Sequence, residues 1–304
     1  MNILFLASTT TRYWPHYHPM FPSIDYVSDG LLHGFKQLFG KTVVDIPKKD
    51  CMYKSSDVEK LSLYGRGFTI AKTLDDDEAD RSDIERKIKD KFFDVIVYGS
   101  VHRNRDYLDL CTSIYPKNRI IFVDGEDYSA QYSIDYSLVN KGTYFKRELL
   151  IDDPNIHPVS LSFPEEKISK PNYTKTIQVA KTLPSQGGDT HIWTGETEYY
   201  DHYNESFFGM TWEKGGWESY RHYEIIMSYC FPFFLNLENC PPRCLTTLPK
   251  DQIIKTNNYF SKKEVRESEL KKYYNCMDEI YNYGKLYLTT THMAKICLTT
   301  TLNA

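Results

Sequence analysis

The chain has 304 residues, of which 41% are hydrophobic and 26% are charged, and its formal net charge is −4. This size and composition predict one large or two moderate domains with a packed core. The slight acidity, with no concentrated basic face, argues against nucleic-acid binding. Seven cysteines, an odd number, favour free thiols in a reducing compartment, so we expect a cytoplasmic protein.

Membrane insertion and secretion are not predicted. No apolar run approaches the ~20 residues that a membrane-spanning helix needs. Residues 1–7 form a short apolar run without a preceding basic region, which indicates a strand rather than a signal peptide.

The first half of the chain alternates short apolar runs with helical patterns, as open α/β sheets do. The first helix is predicted to begin at Asp25 or Ser28 and to be closed by Gly40. The predicted elements are strand 2–7, helix 25–39, strand 42–46, helix 83–92, strand 93–99, helix 106–115 and strands 119–123, 142–145 and 157–163. Tyr64-Gly-Arg-Gly67 predicts a tight turn. No dinucleotide-binding glycine pattern follows the first strand, which disfavours an NAD-dependent oxidoreductase.

Four prolines between residues 152 and 173 indicate a domain boundary, which we place between 165 and 166. Beyond it we predict a possible strand 191–194, helix 196–206, strand 206–212, a helix from about 218, strand 231–235, a short helical or loop segment 251–258, and helices 262–282 and 289–301. Cys240-Pro-Pro-Arg-Cys244 lacks a second Cys or His pair at zinc-ligand spacing, so no metal site is predicted.

The stretch after strand 206–212 combines features that suit a nucleotide sugar. Lys214-Gly215-Gly216 predicts a turn that lets the backbone approach a ligand closely. The following helix start offers free N–H groups to an anion. Arg221 and Glu224 are three residues apart and share a face of that helix. Lys214 and Arg221 suit a diphosphate and Glu224 suits ribose hydroxyls. The alternatives are that Lys214 is an ordinary surface lysine and that Arg221 forms an ion pair with Glu224 instead of binding a ligand.

Several blocks, in this order, resemble glycosyltransferase-like proteins of the two-Rossmann-domain (GT-B) type from large DNA viruses, bacteria and microbial eukaryotes. The blocks are Asp29-Gly-Leu-Leu-His-Gly34 with Val43-Val-Asp45, Leu63-Tyr-Gly-Arg-Gly-Phe68, Ile121-Phe-Val-Asp-Gly-Glu-Asp127, Tyr144-Phe-Lys-Arg-Glu148 and Trp217-Glu-Ser-Tyr-Arg-His-Tyr-Glu224.

The resemblance implies an α/β fold with two Rossmann-like domains facing across a cleft, residues 1–165 on the acceptor side and 166–304 on the donor side. It implies transfer of a hexose from a nucleotide sugar to a hydroxyl of a glycan acceptor. No obligatory metal is implied, and no cofactor besides the nucleotide sugar as co-substrate.

Single residues of this chain match the family's pattern at some site positions and differ from it at others. Glu224 matches the second glutamate of a Glu-x7-Glu pattern, but the first position is Gly216, and Glu213 replaces a lysine common in related sequences. These departures support an alternative, a non-catalytic nucleotide-sugar or glycan-binding module with a decayed donor site. Trp217 is a candidate to cover the base or sugar, or to pack in the core. His222 is a candidate for donor contact, or packs against the sheet.

If the reaction inverts the anomeric configuration, a base that deprotonates the acceptor hydroxyl is expected from the first half. Asp124, Glu126 and Asp127, after strand 119–123, are one set of candidates, although such residues also cap turns. His16 and His18, in the long loop after the first strand, are the other set, since histidine titrates near neutrality. The alternative for these two histidines is packing within that aromatic loop. Lys146 and Arg147 either approach the donor phosphates across the cleft or form surface ion pairs.

Overall fold

The computed structural model describes residues 1–9, 24–76, 78–127, 134–182 and 192–304. The strands described are β1 Ile3–Leu6, β2 Val43–Ile46, β3 Val95–Tyr98, β4 Ile120–Asp124, β5 Thr143–Lys146, β6 Ile156–Pro158, β7 Ile177–Val179, β8 Ser206–Trp212 and β9 Phe231–Leu235. The α-helices described are α1 Tyr26–Phe39, α2 Ile84–Lys89, α3 Leu108–Ile114, α4 Tyr136–Val139, α5 Glu196–Asn204, α6 Tyr220–Met227, α7 Lys250–Tyr259, α8 Leu270–Tyr287 and α9 Thr290–Leu302.

Among the described residues, the first sheet contains six parallel strands in the order β2-β1-β3-β4-β5-β6. The strand order therefore reverses between β1 and β3. In open α/β sheets, ligands bind beyond the carboxyl ends of the strands at such a reversal. Gly99 follows β3 there, and a Cβ on it would lie 2.4 Å from Ser28 Oγ, so glycine is what lets α1 begin this close to the strand.

The second sheet contains three parallel strands in the order β7-β8-β9, and α6 connects β8 to β9. The predicted α/β class is confirmed by the two parallel sheets. The second sheet has half as many strands as the first and does not by itself establish a second Rossmann-like domain. No helix among the described residues combines the length and apolar character needed to cross a bilayer.

One hydrophobic core joins the two sheets. It runs from one face of the first sheet, through residues such as Phe5 and Val97, to the second sheet around Phe208 and Phe231. The opposite face of the first sheet packs a separate core against α2 and α3. The two parts of the chain are thus built around shared apolar contacts.

The last helix departs from the predicted division at residue 165. Helix α9 packs along α1 and reaches β4 and β5, so it belongs to the first sheet in space. The contact is close because Gly34 has no side chain: a Cβ there would lie 2.1 Å from the Thr290 carbonyl oxygen. The last part of the region 166–304 thus packs against the first sheet.

Local predictions succeeded best where apolar runs were longest. The strands predicted at 206–212 and 231–235 match β8 and β9, and the N-cap of α1 is Asp25, which accepts a hydrogen bond from the Ser28 N–H. The strand predicted at 157–163 was largely wrong, since β6 ends at Pro158. Residues 192–194 form no strand, β7 was not predicted, and α8 begins at Leu270 rather than 262.

Candidate functional site

A cavity of about 400 Å³ lies where the carboxyl edge of the first sheet faces the β8–α6 turn. On one side it is bordered by residues that follow β3, β4, β5 and β6, and by the start of α1. On the other side it is bordered by Lys214, Gly215, Gly216 and the first turns of α6. The position agrees with the expected ligand site of an open α/β sheet.

The cavity brings together most of the sequence-predicted site residues. Those that line it are Glu126, Asp127, Lys214, Gly215, Gly216, Arg221 and Glu224. Those described but not lining it are Asp124, Trp217 and His222. His16 and His18 lie outside the described residues.

The glycine turn is held in place by Glu148, a residue that the sequence did not single out. Its carboxylate accepts the N–H groups of Trp217 at 3.0 Å and of Glu218 at 2.6 Å. A Cβ on Gly216 would lie 2.6 Å from Glu148 Oε1, so the carboxylate occupies the space beside this glycine. Glu148 is buried and does not line the cavity, so it supports the turn and does not replace the missing first glutamate.

Arg221 has the clearest unmet bonding capacity at the site. Its side chain lines the cavity and is only 7% exposed, yet Nε and Nη1 have no hydrogen-bond partner among the described residues. Arg221 and Glu224 form no ion pair within 4.0 Å in the described part of the chain, which argues against the alternative that Arg221 pairs with Glu224. A buried guanidinium with open donors is suited to an anion such as a phosphate.

Lys214 adds a second positive charge on the same wall of the cavity. Partial burial and the charge of nearby Arg221 lower the pKa of its ammonium group. An anion bound between the two side chains would oppose this lowering, because a nearby negative charge favours the charged ammonium. Glu213, the acidic neighbour in sequence, is exposed and is not among the lining residues.

Glu224 is fixed from two sides. Its Oε1 accepts a hydrogen bond from the Thr69 hydroxyl at 2.7 Å, and its Oε2 accepts one from the Tyr199 hydroxyl at 2.6 Å. Burial raises the pKa of the Glu224 carboxyl, and these two hydrogen bonds partly offset the rise. Since each carboxylate oxygen can accept a second hydrogen bond, Glu224 can still receive a ligand hydroxyl.

Asp124, a predicted candidate for the base, is not among the residues that line the cavity. Its side chain is fully buried at the end of β4, where it accepts the Glu126 N–H and the Tyr144 hydroxyl, each at 3.1 Å. Burial opposes ionisation, but His102, with Nε2 3.2 Å away, and the charge of Lys146 outweigh it and hold the pKa of Asp124 below its ordinary value. Asp124 therefore caps the turn and holds a buried lysine.

Three other carboxylates of the first sheet do reach the cavity, and arginines lie against each of them. Glu126 accepts from Arg103 at 3.2 Å, and Asp127 pairs with Arg147. Asp25, which the sequence indicated only as a helix cap, lies 3.6 Å from Arg103.

The two basic residues after β5 differ in their exposure to the cavity. Arg147 lines it, but its donors are already bonded to the carbonyls of Gly125 and Glu218 and to Asp127. Lys146 is fully buried against Asp124 and donates to the Glu126 carbonyl at 2.6 Å. Lys146 is therefore closed off from the cavity, whereas Arg147 reaches it with most of its nitrogens already bonded to the protein.

Trp217 and His222, the predicted donor contacts, lie in the interior and are not among the residues that line the cavity, which agrees with the alternative of core packing. His222 is fully buried, with Nδ1 2.7 Å from the Thr211 hydroxyl and Nε2 2.8 Å from the Trp217 carbonyl. Because a carbonyl only accepts, Nε2 carries the proton and Nδ1 accepts from Thr211. Burial lowers the pKa of His222 to about 3. Its imidazole is therefore a neutral packing element that supports the turn.

One further cluster lies apart from the cavity. His33, Glu165 and Glu166 place potential ligand atoms within 4.8 Å of one another. Each already has a protein partner: His33 bonds Thr290 at 2.8 Å and Glu166 at 2.9 Å, while Glu165 accepts from Thr290 at 2.9 Å. These contacts tie α1 to the segment before β7 and to α9, so the cluster acts as a structural tie.

No protein-family model, curated protein or solved structure matches this chain. The resemblance to GT-B glycosyltransferases therefore stays a prediction. The features that bear on function are the cavity, the side chains of Lys214 and Arg221 on one wall, and its lining of carboxylates and tyrosines.

Proposed function

We propose that this protein is a glycosyltransferase that moves a hexose from a nucleotide sugar to a hydroxyl of a glycan acceptor. The observation that carries the proposal is Arg221, a buried guanidinium in the wall of a cavity at the sheet edge, two of whose nitrogens have no hydrogen-bond partner among the described residues. Lys214 and the Gly215-Gly216 turn stand beside it and suit the diphosphate of the donor.

The remaining donor contacts follow from the helix. Arg221 and Glu224 are three residues apart on α6, and both line the cavity. With the diphosphate at Arg221, the ribose hydroxyls would donate to Glu224, whose oxygens retain acceptor capacity. This arrangement supplies positive charge for the departing diphosphate without an obligatory metal.

The chemical step needs a nucleophilic hydroxyl and a leaving diphosphate. The acceptor oxygen forms a bond to the anomeric carbon while the bond from that carbon to the diphosphate oxygen breaks, and the nucleoside diphosphate leaves with the electron pair. If the anomeric configuration inverts, a carboxylate takes the hydroxyl proton. Glu126 and Asp127 are the predicted candidates that line the cavity, and Asp25 joins them.

A second function, a non-catalytic binding module, is favoured by the state of these carboxylates. An arginine, Arg103 or Arg147, lies against each of them, so part of the acceptor capacity of each carboxylate is already used. Gly216 also leaves the first glutamate position without a carboxylate. Donor turnover that is abolished by Glu224→Ala would exclude this module.

A thermal-shift and turnover screen with UDP-, GDP- and TDP-sugars tests the proposal. A ligand present at 100 times its dissociation constant should stabilise the protein by ~2.7 kcal/mol. Arg221→Gln should weaken donor binding by about ten- to a hundredfold, as expected for lost hydrogen bonds to a charged ligand. Arg86→Gln, on the exposed surface of α2, should leave binding unchanged. Absence of both binding and turnover across the panel would refute the proposal.

A further inference from the structure

Tyr64 projects an aromatic ring at the rim of the cavity. It lines the cavity but remains 58% exposed, although single exposed aromatics on a protein surface are common. What distinguishes Tyr64 is its neighbour: the ring makes an edge contact with Tyr26, with centroids 6.1 Å apart. Tyr26 in turn stacks on Tyr220 at 4.5 Å. The three rings form a continuous aromatic wall that runs from the rim to α6.

The backbone that carries Tyr64 is fixed in an unusual conformation. The next three residues, Gly65, Arg66 and Gly67, all have left-handed backbone angles, with φ of 60°, 58° and 64°. Gly67 packs tightly, since a Cβ on it would lie 2.9 Å from Leu63 Cδ1. Left-handed residues outside glycine are uncommon and persist where the surroundings enforce them, often at ligand sites. Tyr64 is thus held at the rim by a preorganised turn.

The polar groups around the rings match a sugar. Neither the Tyr26 nor the Tyr64 hydroxyl has a hydrogen-bond partner among the described residues, so both can bond to ligand hydroxyls. The carboxylates of Asp25 and Glu126 line the same cavity and accept hydrogen bonds. Arg103, the nearby cation, lies against these two carboxylates. This side therefore favours a neutral, hydroxyl-rich ring.

We propose that Tyr64 and Tyr26 form a stacking subsite for a neutral pyranose ring of the acceptor glycan, an inference that rests on the proposed function. The apolar face of the pyranose would lie on the tyrosine rings, and its hydroxyls would bond to the phenols and to Asp25 or Glu126. Because Tyr64 is open to solvent, the rest of the glycan can extend out of the cavity. The diphosphate of the donor would lie at the other wall, on Arg221.

The experiment compares Tyr64→Ala, Tyr64→Phe and the control Tyr259→Ala, which removes a ring that is 48% exposed on α7 and away from the cavity. The probes are an array of neutral oligosaccharides and, separately, UDP-glucose and GDP-mannose. Tyr64→Ala should bind the oligosaccharide selected by the wild type about tenfold more weakly, as expected for one lost ring contact. Tyr64→Phe should retain most of the affinity, and Tyr259→Ala all of it.

Nucleotide-sugar binding should stay within about twofold in all three variants, because the subsite is separate from Arg221. Equal weakening of nucleotide-sugar binding by Tyr64→Ala would overturn the proposal and assign the ring to the nucleobase. Oligosaccharide binding that is absent from the wild type, or unchanged in Tyr64→Ala, would also overturn it. Failure of the proposed function is distinct, since the wild type would then bind no nucleotide sugar. Melting temperatures confirm that each variant is folded.

Discussion

The hydroxyl of Thr69 donates a hydrogen bond of 2.7 Å to Glu224 Oε1, so a loop between β2 and α2 fixes a carboxylate on α6. Thr69 is fully buried and has a φ of 72°, which is rare for a β-branched residue. Its N–H donates to Glu196 at 2.7 Å, and its hydroxyl also contacts Tyr200. The site carboxylate therefore depends on a contact between distant parts of the chain.

Thr69→Val should weaken nucleotide-sugar binding by about tenfold while keeping the shape of the side chain, because Glu224 Oε1 loses its donor. Thr69→Ser keeps the hydroxyl and should bind nearly as well as the wild type. Isothermal titration measures both affinities, with melting temperatures recorded in parallel. Thr301→Val is the matched control, since Thr301 is also fully buried but its hydroxyl has no partner in the described structure. Unchanged affinity in Thr69→Val would show that Tyr199 alone positions Glu224.

The local part of the site could be predicted from the sequence. Strands β8 and β9 are short continuous apolar runs, which are typical of buried parallel strands. The glycine pair between them indicated a tight turn, and helical spacing placed Arg221 and Glu224 on one face. The structure brings both side chains to the cavity.

The supporting contacts could not be predicted in this way, because they join residues that are far apart in sequence. Glu148 bonds the Trp217 N–H across 69 positions, and Thr69 bonds Glu224 across 155. The buried state of His222 also depends on tertiary packing, against Thr211 and Phe234, and not on helical spacing alone. Hydrophobic periodicity indicates which face of a single helix or strand is buried, but it does not indicate which distant side chain packs against that face.

The neighbouring glycines of the turn offer a matched pair of substitutions. Gly216→Ala should displace the Glu148 carboxylate, because the new Cβ would lie 2.6 Å from Oε1. The Trp217 and Glu218 N–H groups then lose their acceptor, so we expect a loss of about 1–3 kcal/mol in unfolding free energy and weaker donor binding. Gly215→Ala should be close to neutral, since its nearest neighbour atom would be 3.9 Å away. Urea unfolding compares the two; equal effects would contradict the role of Glu148.

Glu218 should make the protein less stable as the pH rises through neutrality. Burial raises the pKa of its carboxyl from 4.5 to about 7, with Arg147 opposing the rise. The folded state binds this proton more tightly than the unfolded state, so the stabilisation is complete below pH 4.5 and is lost as the pH rises through 7. Glu218→Gln mimics the protonated form and should remove this dependence. Unfolding free energies measured from pH 4.5 to 8 test it, and a variant that keeps the wild-type slope would contradict it.

His222 should contribute a pH dependence of opposite sign. Burial lowers its pKa from 6.5 to about 3, so the unfolded chain binds a proton between these values and the folded chain does not. Its contribution is present above pH 6.5 and is lost as the pH falls toward 3, by at most ~1.4 kcal/mol per pH unit. His222→Gln keeps a neutral donor for the Trp217 carbonyl. It should lower stability at neutral pH but flatten the acid limb of the profile, whereas Glu218→Gln should leave that limb steep. If His222→Gln retained the full acid sensitivity of the wild type, the prediction would fail. The imidazole of the wild type would then take up a proton in the folded state as readily as in the unfolded state, which its contacts with Trp217 and Thr211 oppose.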